Sequence, residues 1–205
     1  DISCIVLAGG KGLRLGHDKT LETIGNRSLL QWVVFQLGSF NSDIIIVTAT
    51  EQSLHQFIDY PRLRVVTDTY PGKGPLGGIY SGLIASDSLY NLVVACDMPC
   101  LNQALLHYMI QLSANFDLVV PRLGNLVEPL HAVYSRGCLA PTEYLLEQGN
   151  IRVSELIKLV KVRYVEAEEI DRIDPEHLSF FNINTEADLE KARELAREVV
   201  SDDKR

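Results

Sequence analysis

The stretch that decides the fold is a glycine-rich run, Leu7-Ala8-Gly9-Gly10-Lys11-Gly12-Leu13-Arg14-Leu15-Gly16-His17-Asp18-Lys19-Thr20. It follows the apolar residues 2–7, which are branched and aliphatic enough to predict a short buried strand. Glycine has no Cβ, so the backbone can turn sharply here and approach a ligand closely. Successive N–H groups in such a turn form a concave site for anions, and Lys11, Arg14 and Lys19 add cations. The run predicts a polyphosphate site, with an ordinary glycine-rich turn as the alternative.

Two well-known phosphate loops do not match this run. A Rossmann fingerprint requires G-x-G-x-x-G, whereas Gly10 and Gly12 are followed by Gly16, one residue too late. A P-loop ends in Gly-Lys-Ser/Thr, whereas Gly16 precedes His17. The phosphate site predicted here is therefore of another kind.

The composition indicates a globular protein with a substantial core. The chain has 205 residues, of which 46% are hydrophobic and 22% charged. Its formal charge of −8 argues against nucleic acid as a partner, because nucleic-acid binding needs a basic face. No apolar run is long enough to predict a membrane span, so no membrane partner is expected. The four cysteines lack CxxC spacing, which favours free thiols in a reducing cytoplasm over a metal site.

Strand and helix patterns alternate along the chain. Strands are predicted over residues 2–7, 43–48, 64–67, 91–96, 117–121, 130–134 and 162–165. Helices are predicted over residues 28–37, 51–58, 79–85, 101–112, 141–159 with an interruption near Gly149, and 185 to about 199. This alternation predicts an α/β fold of three layers, with a mostly parallel sheet between helices. In such sheets ligands bind at the carboxyl ends of the strands, so the loops after the first, third and fourth strands are expected to line one crevice.

Two aspartates lie in those loops. Asp97 closes the apolar run Leu92-Val93-Val94-Ala95-Cys96, where a carboxylate is costly unless it is paired, hydrogen-bonded or bound to a cation. We interpret Asp97 as a Mg²⁺ ligand, with a helix N-cap as the alternative. Asp68 begins a second glycine-rich loop that runs through Gly72-Lys73-Gly74-Pro75-Leu76-Gly77-Gly78, and a turn that caps a helix is the alternative there.

The opening run, Leu-Ala-Gly-Gly-x-x-x-Arg-x-Gly-x-Asp-Lys, resembles the signature of the molybdenum cofactor guanylyltransferases, which belong to a wider nucleotidyltransferase superfamily. Leu15 stands where that family usually has Met, an apolar exchange of similar volume. The resemblance implies a Rossmann-like nucleotide-diphospho-sugar transferase fold and one nucleotidyltransferase domain over residues 1–205. It covers the first hundred residues strongly and the remainder in patches.

The resemblance also implies functional residues. Those that would bind the nucleotide are Leu7, Ala8, Gly9, Gly10, Gly12, Lys19, Asp68 and Asp97. Those that would act in catalysis are Arg14, Lys19 and Asp97, and Asp97, in its Cys-Asp-x-Pro setting, would hold Mg²⁺. After the second strand the family often carries Asn as a guanine contact, whereas this chain has Thr48-Ala49-Thr50, which leaves base identity open.

Further motifs match the family's second-substrate side. Asn182 and Asn184 lie in an Asn-x-Asn-Thr motif that the family uses near the pterin substrate, and a strand-to-helix turn is the alternative. Arg152 follows Gly149-Asn150 and would meet the second substrate's phosphate, with an exposed helix arginine as the alternative. Glu128-Pro129-Leu130 also falls at a family-like place.

The resemblance implies transfer of GMP from GTP to the molybdenum-bound molybdopterin cofactor, with release of pyrophosphate. GTP and the molybdopterin cofactor would be its substrates, Mg²⁺ its cofactor, and molybdoenzymes or other proteins of cofactor biosynthesis its partners. The alternatives are a cytidylyl- or sugar-1-phosphate nucleotidylyltransferase and a non-catalytic carrier of the molybdenum cofactor.

Overall fold

The computed structural model describes residues 2–8, 22–49 and 60–202. Within these residues the strands are β1 (Ile2–Leu7), β2 (Thr23–Ile24), β3 (Arg27–Ser28), β4 (Asp43–Thr48), β5 (Leu63–Thr67), β6 (Tyr90–Ala95), β7 (Leu118–Leu123), β8 (Leu126–Val127), β9 (His131–Ser135) and β10 (Val162–Glu166). The α-helices are α1 (Leu29–Leu37), α2 (Gly74–Ala85), α3 (Gln103–Gln111), α4 (Leu139–Glu147), α5 (Val153–Ile157), α6 (Ala167–Asp171) and α7 (Glu186–Asp202). No helix in these ranges has the length and apolarity to cross a membrane.

One sheet dominates the molecule, with its strands in the order β10-β7-β9-β6-β1-β4-β5. The pairs β1–β4, β1–β6, β4–β5 and β7–β10 are parallel, whereas β9 runs antiparallel to both β6 and β7. The mostly parallel three-layer prediction is therefore confirmed. Six strands end at one edge of the sheet, and β9 begins at that same edge.

Alternating side chains of the strands form two cores, one on each face of the sheet. Cys4 and Val6 of β1 pack with α1 and α3, whereas Ile5 between them packs with α2 on the opposite face. The sheet is covered on both faces, which explains why its central strands read as continuous apolar runs. A smaller cluster ties Ile183 and α7 to β2 and α1.

Several predicted bounds are correct and several are wrong. The structure reproduces the predicted strands 2–7 and 43–48, whereas α1 begins one residue later than predicted, with Ser28 as its N-cap. The predicted helix 51–58 lies outside the described residues. The interruption predicted near Gly149 in the helix 141–159 is confirmed: α4 and α5 are separate helices, and Gly149 adopts a φ of +73° between them.

The start of α2 is the clearest correction. The glycine-rich loop was expected to continue to Gly78, but α2 already begins at Gly74. Pro75 lies in the first turn, where a missing N–H leaves no helical hydrogen bond unmade. Gly78 and Gly82 then lie on the side of α2 that faces β1 and allow the helix to approach that strand closely.

Candidate functional site

The carboxyl ends of the central strands meet at one edge in matched register. The main-chain N–H of Ala8 donates to the carbonyl of Val47 at 2.9 Å, which joins the ends of β1 and β4. The N–H of Cys96 donates to Leu7 at 3.2 Å, and that of Asp68 donates to Thr48 at 2.8 Å. Segments that follow four adjacent strands are thus fixed side by side. The structure brings Leu7, Ala8, Asp68 and Asp97 to this edge, as expected for the loops that follow the first, third and fourth predicted strands.

Asp97 lies two residues beyond β6 and is partly buried. It is not the N-cap of the next helix, because Asn102 has that role: the Asn102 side chain accepts from the N–H of Leu105 at 3.1 Å. The N-cap alternative for Asp97 is therefore wrong. The main-chain oxygen of Asp97 accepts from the N–H of Ile183 at 2.9 Å, which fixes the segment from Asn182 to Asn184 beside it.

The Asp68 carboxylate shapes the turn that leads into α2. Its Oδ1 accepts from the N–H of Tyr70 and from the hydroxyl of Ser81, both at 2.9 Å. A Cβ on Gly77 would lie 3.2 Å from the same Oδ1 and 2.8 Å from the Tyr70 carbonyl oxygen, so a side chain at position 77 would force this turn to shift. The hydrogen bonds of Oδ1 therefore agree with the alternative interpretation of this loop, a turn that leads into a helix.

The two asparagines of the late motif differ in their surroundings. The main-chain N–H of Asn184 donates to the Asp188 carboxylate at 3.0 Å, at the start of α7. Asp188 and Thr185 form a capping box at the start of α7, with hydrogen bonds of 2.8 and 3.2 Å. The Oδ1 of Asn182 is buried and accepts no hydrogen bond from the described part of the chain. A buried acceptor without a partner costs free energy, so Asn182 is the better candidate for a ligand contact.

Arg152 is exposed and lies in the turn between α4 and α5. Its main-chain N–H donates to the Asn150 side chain at 3.1 Å. Strand β9 ends at the edge opposite Asp97, β10 begins at that same opposite edge, and Arg152 lies in the connection between the two strands.

The remaining predicted residues are not among those that the structure describes. Gly9, Gly10, Lys11, Gly12, Arg14 and Lys19 lie outside the described residues, as does Thr50. The described stretches contain no group of three or more His, Cys, Asp or Glu side chains that could hold a metal ion. Mg²⁺ does not need such a group in a nucleotide site, because it takes one or two carboxylates together with phosphate oxygens and water. A partly buried carboxylate at a strand end, as in Asp97, fits that donor set.

Two titratable residues at this edge had no predicted role. Ala95 of β6 donates its N–H to Leu130 at 3.1 Å, which places Glu128-Pro129-Leu130 beside Asp97. Burial raises the pKa of Glu128 above its usual range. His131, in register with Val94, is fully buried, and this burial lowers its pKa to about 4. The sequence pointed to Glu128 only through the family-like position of Glu128-Pro129-Leu130.

The family model of the MobA-like NTP transferase domain matches residues 4–164, from β1 into β10. The chain belongs to this family. The match includes Asp68, Asp97 and Arg152, and ends before Asn182 and Asn184.

Full-length relatives agree with the assignment to MobA-like NTP transferases. The chain is 37% identical to the "Probable molybdenum cofactor guanylyltransferase" of Pelotomaculum thermopropionicum, over 94% of this chain and 92% of that one. It is 34% identical to the molybdenum cofactor guanylyltransferase of Desulfosudis oleivorans, over 93% and 94% respectively. Its structure is similar to that of molybdopterin-guanine dinucleotide biosynthesis protein A from Archaeoglobus fulgidus, with a TM-score of 0.82, 27% identity, and 96% and 99% coverage.

Proposed function

We propose that this protein transfers GMP from GTP to the molybdenum-bound molybdopterin cofactor and releases pyrophosphate. The sheet edge that joins Ala8, Asp68 and Asp97 carries the proposal, because nucleotidyl transfer requires a nucleotide and a metal-binding carboxylate at one place. Relatives of the same length that are named molybdenum cofactor guanylyltransferase support guanine as the base and this acceptor.

In this proposal the main-chain amides from Leu7 to Gly12 hold the nucleotide, and Arg14 and Lys19 neutralise its triphosphate. Such local cations matter because the whole chain carries a formal charge of −8 and repels an anionic substrate at long range. Oδ1 of Asp68 accepts hydrogen bonds within its own turn, so the oxygen of this carboxylate that would contact the nucleotide is Oδ2.

Asp97 would hold Mg²⁺. When bound, the ion neutralises phosphate charge and supplies a template for in-line displacement. The acceptor's terminal phosphate attacks the α-phosphorus of GTP, and pyrophosphate leaves. Charge spreads over the non-bridging oxygens in the transition state, so this chain contributes positioning and electrostatics rather than a nucleophile.

Asn182, Asn184 and Arg152 contact the polar groups of the acceptor in this proposal. The unpaired Oδ1 of Asn182 supports this placement, as does its hydrogen-bonded neighbour Ile183, which fixes the segment against Asp97. Arg152 is exposed and offers a guanidinium to phosphate. Molybdoenzymes that receive the product, or other proteins of cofactor biosynthesis, are the macromolecular partners of this proposal.

Nucleotide selectivity gives the direct test. With Mg²⁺, GTP is expected to raise the Tm more than CTP, UTP or ATP, because a ligand that binds only the native state stabilises it, by about 2.7 kcal/mol at a hundred times its Kd. Pyrophosphate is expected only when GTP and the molybdenum cofactor are both present.

Other outcomes contradict the proposal in distinct ways. A larger Tm shift with CTP or UTP would indicate a cytidylyl- or sugar-1-phosphate nucleotidylyltransferase. Cofactor binding without pyrophosphate release would indicate a carrier. The Thr48-Ala49-Thr50 stretch makes the first outcome worth measuring, since Asn is usual there.

A further inference from the structure

A cavity of about 520 Å³ lies beyond the ends of β7 and β10, at some distance from Asp97 along the same edge. Its lining includes Arg122, Gly124, Asn125, Tyr164, Glu166 and Glu168. The volume falls within the range of about 300 to 1,000 Å³ that is common for small-molecule sites. None of these residues belongs to the nucleotide site or to the acceptor contacts proposed above.

The cavity's place follows from the strand order β10-β7-β9-β6. Three strand spacings separate β6, which carries Asp97, from β10, or about 14 Å. Glu166 pairs with Arg122 in the parallel register of β10 and β7, so both lie where these strands reach the Asp97 edge. A ligand in the cavity can therefore extend along the edge toward Asp97 without crossing the sheet.

The lining combines a planar stack with hydrogen-bonding groups. The Arg122 guanidinium lies 4.1 Å from the centroid of the Tyr164 ring. Its Nε and Nη2 donate to the two oxygens of Glu166, the first at 3.0 Å, which fixes the guanidinium plane. Rigid flat surfaces of this type favour stacking of a planar heterocycle.

The charge of the lining residues determines whether the cavity favours a phosphate or a polar ring. Arg122 is neutralised by Glu166, so Glu168 leaves the lining with a net negative charge. Glu168 is exposed in the first turn of α6, and its carboxylate meets no partner among the described residues. A phosphate is therefore disfavoured here, whereas a ring edge with N–H donors is favoured.

We propose that this cavity binds the pterin ring of the acceptor, stacked against Tyr164 and Arg122, with its amino-pyrimidinone N–H groups donating to Glu168. The proposal rests on the proposed function and deepens it. It sets the acceptor's direction: the ring lies over β10 and the phosphate points toward Asp97. Asn125 and the main chain of the Gly124 turn complete the polar rim.

The test is calorimetric titration with 6-hydroxymethylpterin, a neutral pterin that lacks the phosphate. Tyr164→Leu is expected to raise its Kd about tenfold, because stacking is lost, whereas Tyr164→Phe retains the affinity. Glu168→Gln is also expected to weaken binding. Matched controls are Tyr144→Leu, an exposed tyrosine of α4, and Glu176→Gln, an exposed glutamate outside the cavity.

Three results would overturn the proposal. The wild-type protein could fail to bind the pterin, Tyr164→Leu could bind it with the affinity of the wild type, or GTP could displace it. Pyrophosphate release separates this failure from failure of the proposed function. If the wild-type protein releases pyrophosphate and Tyr164→Leu keeps its KM for the molybdenum cofactor, the cavity assignment is wrong and the function stands. If the pterin binds through Tyr164 and no pyrophosphate is released, the function is wrong and the cavity stands.

Discussion

Asp97→Asn is expected to lower kcat at least about a hundredfold, equivalent to about 2.7 kcal/mol of transition-state stabilisation. The substitution removes the negative charge that would hold Mg²⁺ but keeps the size of the side chain. It also keeps the main-chain hydrogen bond between Asp97 and Ile183, so the neighbouring segment should stay in place. Steady-state pyrophosphate release with saturating GTP and molybdenum cofactor measures the effect.

The matched control is Asp87→Asn. Asp87 is an exposed carboxylate before β6, and its only charged contact in the described part of the chain is with Arg64 at 3.7 Å, a pair of little energetic weight. This variant should retain wild-type turnover. Full activity of Asp97→Asn, with a circular dichroism spectrum like that of the wild type, would contradict the metal role.

Gly82→Ala is expected to destabilise the protein by about 2 to 3 kcal/mol. A Cβ at this position would lie 2.4 Å from Cγ2 and 3.0 Å from Cδ1 of Ile5, in the core between α2 and β1. Both elements are buried against each other, so neither can move away without opening the core. The loss is notable because alanine in a helix is ordinarily favoured over glycine by about 1 kcal/mol. Urea denaturation monitored by circular dichroism measures it.

A double-mutant cycle tests the cause. Ile5→Ala removes the three atoms that lie nearest to the new methyl group, so Gly82→Ala should cost much less in that background. Gly78→Ala is the control, because the three atoms nearest to its Cβ belong to the flexible Leu7 side chain, and the closest lies at 3.2 Å. Additive losses in the double variant would show that the clash with Ile5 is not the cause.

The sequence predicted the strands best where burial on both faces made them continuous apolar runs. Residues 2–7 and 43–48 are such runs, and the structure reproduces both. It also predicted that the segments after the first, third and fourth predicted strands meet at one place, because parallel strands share one carboxyl edge. Asp68 and Asp97 were found in this way, from their position after β5 and β6.

Other features depend on tertiary contacts that no local pattern encodes. The start of α2 was missed because Gly77 and Gly78 resemble loop residues, yet they allow close approach to Tyr70 and Leu7. The direction of β9 is set by its neighbours β6 and β7, so sequence alone could not bring Glu128 and His131 to the Asp97 edge.

The cavity was missed for a related reason. Arg122 and Tyr164 are 42 positions apart and meet only because β7 and β10 pair in register. Each looks like an ordinary strand residue in the sequence. The short helix α6, which brings Glu168 to the cavity, has too few residues to show a helical period.

The most direct measurement is a crystal structure of the protein with Mg²⁺ and a non-hydrolysable GTP analogue. We expect one triphosphate held between the amides of residues 7–12 and a metal ion bound to Asp97, with the cavity beside Tyr164 left open for the acceptor. A triphosphate bound away from residues 7–12, or an Asp97 carboxylate turned from the metal ion, would contradict it.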